Sequence, residues 1–234
     1  MYDRYKRSVL EMKYATMSKY EDELRILAVA AEDLRYLLSK GYPRAGALKF
    51  VSDHYRLYSK QRHILNRTVI KPDIVEKRKN KIIECDQIPG KSLAIDGYNV
   101  LIGIETALED YTLWVSDDGY VRDIRGKFNN FKMTDTTIIA IDKLMEILHQ
   151  NQPSRTTILL DRPMSNSGNL AVLLRKKMKE HRIEGDALTS DHVDYDLKNI
   201  QSDIIATSDG IIIDSVSKVV DIPACFTKYW GINL

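Results

Sequence analysis

The chain has little of what a disulfide-built or membrane-spanning protein needs. Its 234 residues include two cysteines and no apolar run near the roughly 18 residues of a membrane span. No signal-peptide core follows the amino terminus. Cys85 and Cys225 are far apart and have no partner with zinc-ligand spacing, so we expect two small apolar side chains in a reducing environment. These absences predict a soluble cytoplasmic protein with no membrane partner.

Two motifs of phosphate chemistry are also missing. No Gly-x-x-x-x-Gly-Lys-Ser/Thr run occurs, which argues against ordinary ATP use. The apolar run Leu93–Ile95 is followed by a single Asp instead of Asp-x-Asp, so an aspartyl-phosphate route is not indicated. A phosphatase or nucleotide hydrolase that uses a bound cation stays open as a third interpretation.

Charge is divided unevenly along the chain, although the formal net charge is only +2. Residues 1–83 carry 19 Lys and Arg against 10 Asp and Glu, whereas the remainder carries 16 against 23. A basic region attracts polyanions, and an acidic region gathers carboxylates around a cation. The same division would also fit two solvated surfaces of opposite sign that simply attract each other.

Helical periodicity dominates the basic N-terminal region. Apolar residues recur at helical spacing from residue 21 to residue 40, and a glycine and a proline shortly afterwards supply a stop. A second helix is expected after that proline, and a third is expected from an N-cap at Ser59. We therefore predict a small all-α domain over residues 1–75, followed by a charged linker at 76–90.

The same region offers a candidate nucleic-acid-binding surface. Four basic residues are spaced by four, three and four positions, so on a continuous or nearly continuous helix they share one face. These residues are Arg56, Lys60, His63 and Arg67. Together with Arg44 they would hold phosphates, while interleaved tyrosines stack on bases. A solvated cationic face with packed tyrosines is the alternative.

After residue 90 the pattern changes to short apolar runs separated by helical stretches. The runs are Leu93–Ile95, Thr156–Leu160 and Ile204–Ala206. This alternation predicts an α/β domain over residues 91–234, with a parallel sheet and helices on both faces. Residues 111–122, which contain a Ser-Asp-Asp-Gly turn, predict an inserted β-hairpin.

An aspartate follows each of the three predicted strands, namely Asp96, Asp161 and Asp209. In a parallel sheet the carboxyl ends of these strands lie at the same edge. Carboxylates brought close together repel one another unless protons, basic side chains or a hard cation neutralise them. A Mg²⁺ or Mn²⁺ ion would do so and could activate a water against a phosphodiester. Taken singly, each aspartate also fits an ordinary turn or loop cap.

Three neighbouring segments could complete such a site. Asp194 falls in the first turn of a short helix that we expect after a cap at Asp191, although helix-end electrostatics alone would favour an acid there. Asn99 would orient a ligand or a water if a helix begins beside it. Ser165 and Ser167, in the loop after the second strand, would cap the next helix or contact a phosphate.

Several of these segments resemble a known family. In the same order along the chain, Ala94–Val100, Asp161, Asp194–Asp196 and Ala206–Asp209 resemble motifs of the NYN branch of PIN-like metal-dependent ribonucleases. The whole chain also resembles an uncharacterised archaeal protein family, in which a helical domain precedes a PIN-like domain. The resemblance implies a Rossmann-like sheet, acids that coordinate Mg²⁺ or Mn²⁺, and RNA as the substrate.

Carried over by position, the resemblance also implies roles for single residues. Asp96 and Asp209 would be primary metal ligands, and Asp194 another ligand or a water-orienting group. Asn99 would be a positioning residue, and Ser208 would help to fix the site. The predicted hairpin departs from the family pattern, which usually continues through helices at this point.

The sequence therefore predicts a metal-dependent ribonuclease. The alternative from a different class is a non-catalytic RNA-binding or protein-assembly module on the same fold, which would bind without turnover. Neither RNA versus DNA nor the oligomeric state is fixed by the sequence, and a homo-oligomer is compatible with it.

Overall fold

A computed structural model describes residues 2–126, 128 and 131–232, with side chains described from residue 21 onward. Residues 1, 127, 129, 130, 233 and 234 of the expected domains lie outside this description. The chain divides into two compact units, Met1–Asp73 and Ile74–Leu234. We call them the N-terminal unit and the α/β unit.

The N-terminal unit is helical, as its periodicity predicts. Its helices are α1 (Tyr2–Ser39), α2 (Arg44–His54), α3 (Ser59–Thr68) and the beginning of α4 (Pro72–Lys79), which continues into the α/β unit. Ser59 is the first residue of α3 and not its N-cap, which corrects the expectation. Tyr58, with an extended backbone, occupies the N-cap position, and its backbone amide donates to the Gln61 side chain at 3.2 Å.

The turn between α2 and α3 interrupts the predicted basic stripe. Arg56 lies in this turn with a left-handed φ of 51°. The backbone amides of Arg56 and the next residue donate back into the last turn of α2, in the Schellman arrangement that ends a helix. The expectation of one nearly continuous helical face is therefore wrong for Arg56, whereas Lys60, His63 and Arg67 share α3.

The α/β unit contains the predicted parallel sheet and hairpin. In chain order its strands are β1 (Ile82–Ile83), β2 (Ser92–Asp96), β3 (Trp114–Val115), β4 (Val121–Arg122), β5 (Arg155–Asp161), β6 (Gly185–Ser190), β7 (Ile204–Ala206) and β8 (Val219–Val220). Its helices after α4 are α5 (Gly97–Leu108), α6 (Asp135–Asn151), α7 (Ser167–Glu180), α8 (Val193–Asn199), α9 (Gly210–Ser215) and α10 (Ile222–Trp230). The predicted α/β class is confirmed, with a Rossmann-like sheet flanked by helices.

Within the described ranges the main sheet has six strands in the order β1-β8-β7-β2-β5-β6, all paired in parallel. From β2 the chain proceeds outward to β5 and β6, then crosses to β7 and β8 on the other side. Strands β3 and β4 form the antiparallel hairpin. Open parallel sheets bind ligands at the carboxyl ends of the strands where this succession reverses. That position lies between β2 and β7.

The segment expected as a linker, residues 76–90, contains the end of α4, the edge strand β1 and a 3-10 helix at Cys85–Gln87. A disulfide joins Cys85 to Cys225 of α10, so the expectation of two free cysteines is wrong. Both side chains belong to the main hydrophobic cluster of the α/β unit, where folding brings together residues 140 positions apart.

The same hydrophobic cluster lies between the sheet and its helices. It includes Ile95 of β2, Ile158 of β5, Leu101 of α5 and Leu144 of α6, all fully buried. No helix in the described part of the chain is both long enough and apolar enough to cross a membrane.

Candidate functional site

Asp96 lies at the carboxyl end of β2 and is also the N-cap of α5. Its side chain is only 7% exposed, and it accepts hydrogen bonds from the Thr207 hydroxyl at 3.0 Å and the backbone amide of Asn99 at 3.4 Å. Burial raises the pKa of Asp96 to about 7; the two hydrogen bonds lower it, and the charges of Asp161 and Asp209 raise it further. The charges of Asp161 and Asp209 are therefore close enough to act on Asp96.

Gly97 permits this tight junction between strand and helix. A Cβ at this position would lie 2.8 Å from the carbonyl oxygen of Leu159 and 2.6 Å from a methyl carbon of Leu160. A side chain there would force α5 away from the neighbouring strand β5. The Asp-Gly pair is consequently a strand-to-helix junction, and the simpler interpretation as a turn does not hold.

The loop after β7 is bonded directly to this junction. The side-chain oxygen Oδ1 of Asn99 accepts hydrogen bonds from the backbone amide and the hydroxyl of Ser208, at 2.9 and 3.0 Å. The Thr207 hydroxyl, which donates to Asp96, also accepts from the backbone amide of Asp209 at 3.1 Å. Asn99 therefore holds the neighbouring loop through its carboxamide, and Thr207 links the two candidate carboxylates.

Asp209 is the N-cap of the short helix α9. Its Oδ1 accepts from the backbone amides of Ile211 at 2.7 Å and Ile212 at 3.4 Å. The half-buried side chain thus has the ordinary capping role that the sequence left open. Its charge nevertheless acts on Asp96, so capping and membership of an acidic cluster are compatible.

Asp161 ends β5, on the other side of β2 from the Asp209 loop. Burial raises the pKa of Asp161, and the charge of Asp194 raises it further. Asp194 itself is exposed in the first turn of α8. Charge interactions thus link Asp161 to Asp96 and to Asp194. A further charge interaction links Asp96 to Asp209.

Tyr98 adds an unexpected polar group to this edge. Its side chain is fully buried, and its hydroxyl has no hydrogen-bond partner among the described residues. Burial raises the pKa of Tyr98 to about 12, with a further contribution from the charge of Asp161. Leaving a buried hydroxyl without a partner costs free energy, so this group stands out from the packed residues around it.

The expected cap at Asp191 is not formed. Helix α8 begins at Val193 with His192 at its N-cap position. Asp191 instead forms an ion pair with Arg162 at 2.6 Å, and both side chains are exposed. The neighbouring guanidinium therefore replaces the backbone amides as partner of this carboxylate.

The serine caps expected for α7 are also wrong. The N-cap is Asn166, whose left-handed φ of 62° turns the chain into the helix. Ser167 is the first helical residue, and its buried hydroxyl donates to the carbonyl of Arg162 at 3.0 Å. Ser165 is exposed in the loop. Because the Ser167 hydroxyl is engaged within the loop, a phosphate contact from it would require that bond to break.

The expected nucleic-acid-binding residues of the N-terminal unit differ in exposure. Arg56 and Lys60 are exposed, whereas His63 and Arg67 are partly buried. Arg44 donates from its guanidinium to the backbone carbonyl of a residue in α3, which ties α2 to that helix. Lys60 and Arg56 are consequently the cations of this set most accessible to a phosphate.

Over the described residues, no three His, Cys, Asp or Glu side chains are grouped closely enough to hold a metal ion. The acidic edge is therefore an electrostatic cluster and not a closed cage of ligands. Sequence reasoning identified its carboxylates but missed Thr207 and Tyr98. The motif Thr207-Ser208-Asp209 could have indicated the role of Thr207. A hydroxyl two residues before an aspartate can accept a hydrogen bond from the backbone amide of that aspartate.

Comparisons with known proteins identify relatives of this chain. Residues 85–225 match a domain of unknown function (DUF5616), and residues 26–81 match a protein of unknown function (DUF434). The uncharacterized protein MJ0935 of Methanocaldococcus jannaschii is 37% identical over 203 residues, which cover 86% of this chain and 96% of that protein. No solved structure matches the chain. None of these matches names an activity.

Proposed function

The chain belongs to the family described as a domain of unknown function (DUF5616), and for this member we propose a metal-dependent ribonuclease. The activity would be hydrolysis of RNA phosphodiester bonds at the carboxyl edge of the sheet. One observation carries the proposal: a buried carboxylate, Asp96, lies where strand succession reverses, and the charges of Asp161 and Asp209 act on it. Placing a buried carboxylate beside two like charges costs stability, so this arrangement at a ligand-binding edge favours a functional role.

The donor set fits Mg²⁺ or Mn²⁺ held with much of its water. Mg²⁺ is commonly bound through one or two carboxylates together with waters and substrate phosphates, and seldom by an all-protein cage. The Thr207 hydroxyl links two carboxylates at this edge, Asp96 and Asp209, which supplies that number of carboxylates. The unpartnered Tyr98 hydroxyl supplies a further polar group beside Asp161. Asp96 and Asp209 would hold the ion, and Asp161 and Asp194 would add further carboxylates around it.

When bound, such an ion would activate a water and stabilise the charge that develops on the phosphodiester. The chain's own groups would hold and orient the reactants. Asp194, exposed at the rim, would accept the proton of the attacking water or orient it. Asn99 and Thr207 would keep Asp209 beside Asp96 through the hydrogen bonds described above.

A nucleic acid is the proposed substrate because the N-terminal region is basic, and RNA is the nucleic acid that the resemblance to NYN-type ribonucleases implies. Residues 1–83 carry nine more basic than acidic residues, and phosphate contacts by such cations supply much of nucleic-acid affinity. Lys60 and Arg56 would be the first contacts. We also propose a cytoplasmic location. Disulfides are uncommon there except in the intracellular proteins of hyperthermophiles, so the Cys85–Cys225 bond fits this location in an organism of that kind.

A cleavage assay tests the proposal. A labelled single-stranded RNA panel is incubated with Mn²⁺ and with the wild type, Asp96→Asn or Asp209→Asn. Both variants are expected to lose at least about a hundredfold in rate while RNA affinity changes little. The matched control is Asp191→Asn, which removes an exposed carboxylate at the same edge that is paired with Arg162. An inactive wild type, or equal loss in the control, would refute the proposal.

A non-catalytic RNA-binding or protein-assembly module is the second candidate. The observation that favours it is the lack of a three-ligand group in the described part of the chain. This function predicts that the wild type and Asp96→Asn bind the RNA panel equally well and that neither cleaves it. The same assay therefore separates the two candidates.

A further inference from the structure

Two buried arginines hold the backbone on either side of Asp209. Arg122, in β4 of the hairpin, donates from Nε to the carbonyl of Ser208 at 3.1 Å. Arg78, in α4, donates from Nη2 to the carbonyl of Gly210 at 3.2 Å. The two arginines are 4% and 8% exposed. Charge-assisted donors therefore fix the carbonyls that flank the candidate ligand.

One fully buried carboxylate connects the two arginines. Asp118, in the turn of the hairpin, accepts from Nη1 and Nη2 of Arg122 at 2.7 and 2.8 Å, and from Nη1 of Arg78 at 2.8 Å. Burial opposes its charge, but hydrogen bonds from Arg122, Ser116 and Arg78 bring the pKa of Asp118 down to about 2. Asp214 accepts two further hydrogen bonds from Arg78, each at 2.8 Å. Two guanidinium groups thus face two carboxylates.

The loop that contains Asp209 needs such support. Helix α9, which Asp209 begins, has six residues, and a helix this short has little stability of its own. On the sheet side the loop is held by Asn99, which accepts from the Ser208 amide, and by Asp96, which accepts from the Thr207 hydroxyl. On the opposite side its backbone is held by the two arginines. The hairpin, which departs from the pattern of the resembled family, provides one of these contacts and the carboxylate that joins them.

We propose that Arg78, Asp118 and Arg122, here called the arginine clamp, are positioning residues that fix the loop 207–210 and so aim Asp209 at the acidic edge. The role of Asp209 as a ligand rests on the proposed function. The ordering of the loop does not, because it depends only on contacts within the chain. An error of about 1 Å in the placement of a functional group can cost about a hundredfold in rate.

The test compares two conservative variants of the full-length chain. Arg122→Lys keeps the positive charge but cannot reproduce the two contacts to Asp118 together with the contact to Ser208. The matched control is Arg125→Lys, since Arg125 makes a comparable, partly buried ion pair with Asp123 and Glu109. None of the hydrogen bonds of Arg125 described here involves the loop 207–210.

Two quantities are measured for each variant. Amide hydrogen exchange of the peptide over residues 204–216 reports the order of the loop without metal, and electron paramagnetic resonance of free Mn²⁺ reports metal affinity. Arg122→Lys is expected to raise the exchange rate about tenfold and to weaken Mn²⁺ binding about tenfold. Arg125→Lys, at a similar melting temperature, is expected to change neither.

Each outcome decides the proposal. Exchange in Arg122→Lys equal to the wild type, or an equal rise in Arg125→Lys, overturns the clamp. A wild type that binds no Mn²⁺ overturns the proposed function, while the exchange rates still decide whether the clamp orders the loop. If Arg122→Lys does not fold, Arg78→Lys carries the same test through the carbonyl of Gly210.

Discussion

Replacing the buried carboxylate at the end of β2 should make the protein more stable at alkaline pH. Asp96 is held at a pKa of about 7, whereas its ordinary value is 3.8. Because the folded protein binds this proton more tightly than the unfolded chain, stability falls as pH rises from about 4 to about 7. Since a tenfold change in proton affinity is worth about 1.4 kcal/mol, the cost above pH 7 is roughly 4 kcal/mol.

Asp96→Asn removes this titration and keeps an acceptor oxygen for the backbone amide of Asn99. The variant should therefore gain about 2–4 kcal/mol at pH 8 and differ from the wild type by less than about 1 kcal/mol at pH 4. For a chain of this length each kcal/mol corresponds to roughly 2–4 °C in melting temperature. We thus expect a rise of roughly 10 °C at pH 8.

Urea unfolding followed by tryptophan fluorescence measures this difference. The two tryptophans, Trp114 and Trp230, both belong to the α/β unit, so their signal reports the unit that contains Asp96. The experiment is run with EDTA from pH 4 to pH 8.5, with the disulfide intact. Because groups away from this edge titrate alike in both proteins, the difference between them reports Asp96 together with its coupling to Asp161 and Asp209.

Asp221 provides a matched control. It is also buried at a strand end, where burial raises its pKa to about 6, and it accepts from the backbone amides of Val121 at 2.6 Å and Ala224 at 3.0 Å. The ionised carboxylate accepts one amide on each oxygen, whereas Asn offers one acceptor oxygen for both, so Asp221→Asn should gain less stability at pH 8 than Asp96→Asn. The reasoning fails if Asp96→Asn is less stable than the wild type at pH 8, or if their pH profiles coincide.

Three further changes have expected results. Cys225→Ser opens a disulfide that spans 140 residues, and the chain-entropy argument gives a loss of up to about 5 kcal/mol, measured by urea unfolding under non-reducing conditions. Gly97→Ala should cost about 1–3 kcal/mol in the same assay because its Cβ meets the Leu159 carbonyl, and an unchanged midpoint would contradict the close approach. Lys60→Glu should weaken RNA binding, measured by fluorescence anisotropy, and should reduce the slope of log affinity against log salt concentration. An equal slope in the variant and the wild type would show that Lys60 of α3 does not contact the RNA.

The parts of the fold that the sequence predicted are those with strong local patterns. Strands β2, β5 and β7 are apolar or β-branched runs, and helices α6 and α7 carry a regular apolar stripe. Strands β1 and β8 have two residues each, which is too short for any period to show. Strand β6 reads Gly-Asp-Ala-Leu-Thr-Ser and lacks an apolar run, so it too was missed.

In the candidate site, too, the local features could be predicted from the sequence and the long-range contacts could not. Aspartates at strand ends could be found because the position of an acid after an apolar run is a local feature. The hydrogen bond between Thr207 and Asp96 joins residues 111 positions apart, and the contact between Arg122 and Ser208 joins residues 86 positions apart. The disulfide joins residues 140 positions apart. Contacts of this kind depend on tertiary packing, which one sequence does not encode as a pattern.

The most direct measurement of the central claim is a crystal structure with Mn²⁺, examined for anomalous scattering at the carboxyl edge of the sheet. We predict one anomalous peak bound by Asp96 and Asp209, with Asp161 and Asp194 around it, and no peak in Asp96→Asn. Loss of the peak in the variant would tie the metal to the buried carboxylate. A wild-type crystal in millimolar Mn²⁺ without a peak between Asp96 and Asp209 would contradict the account.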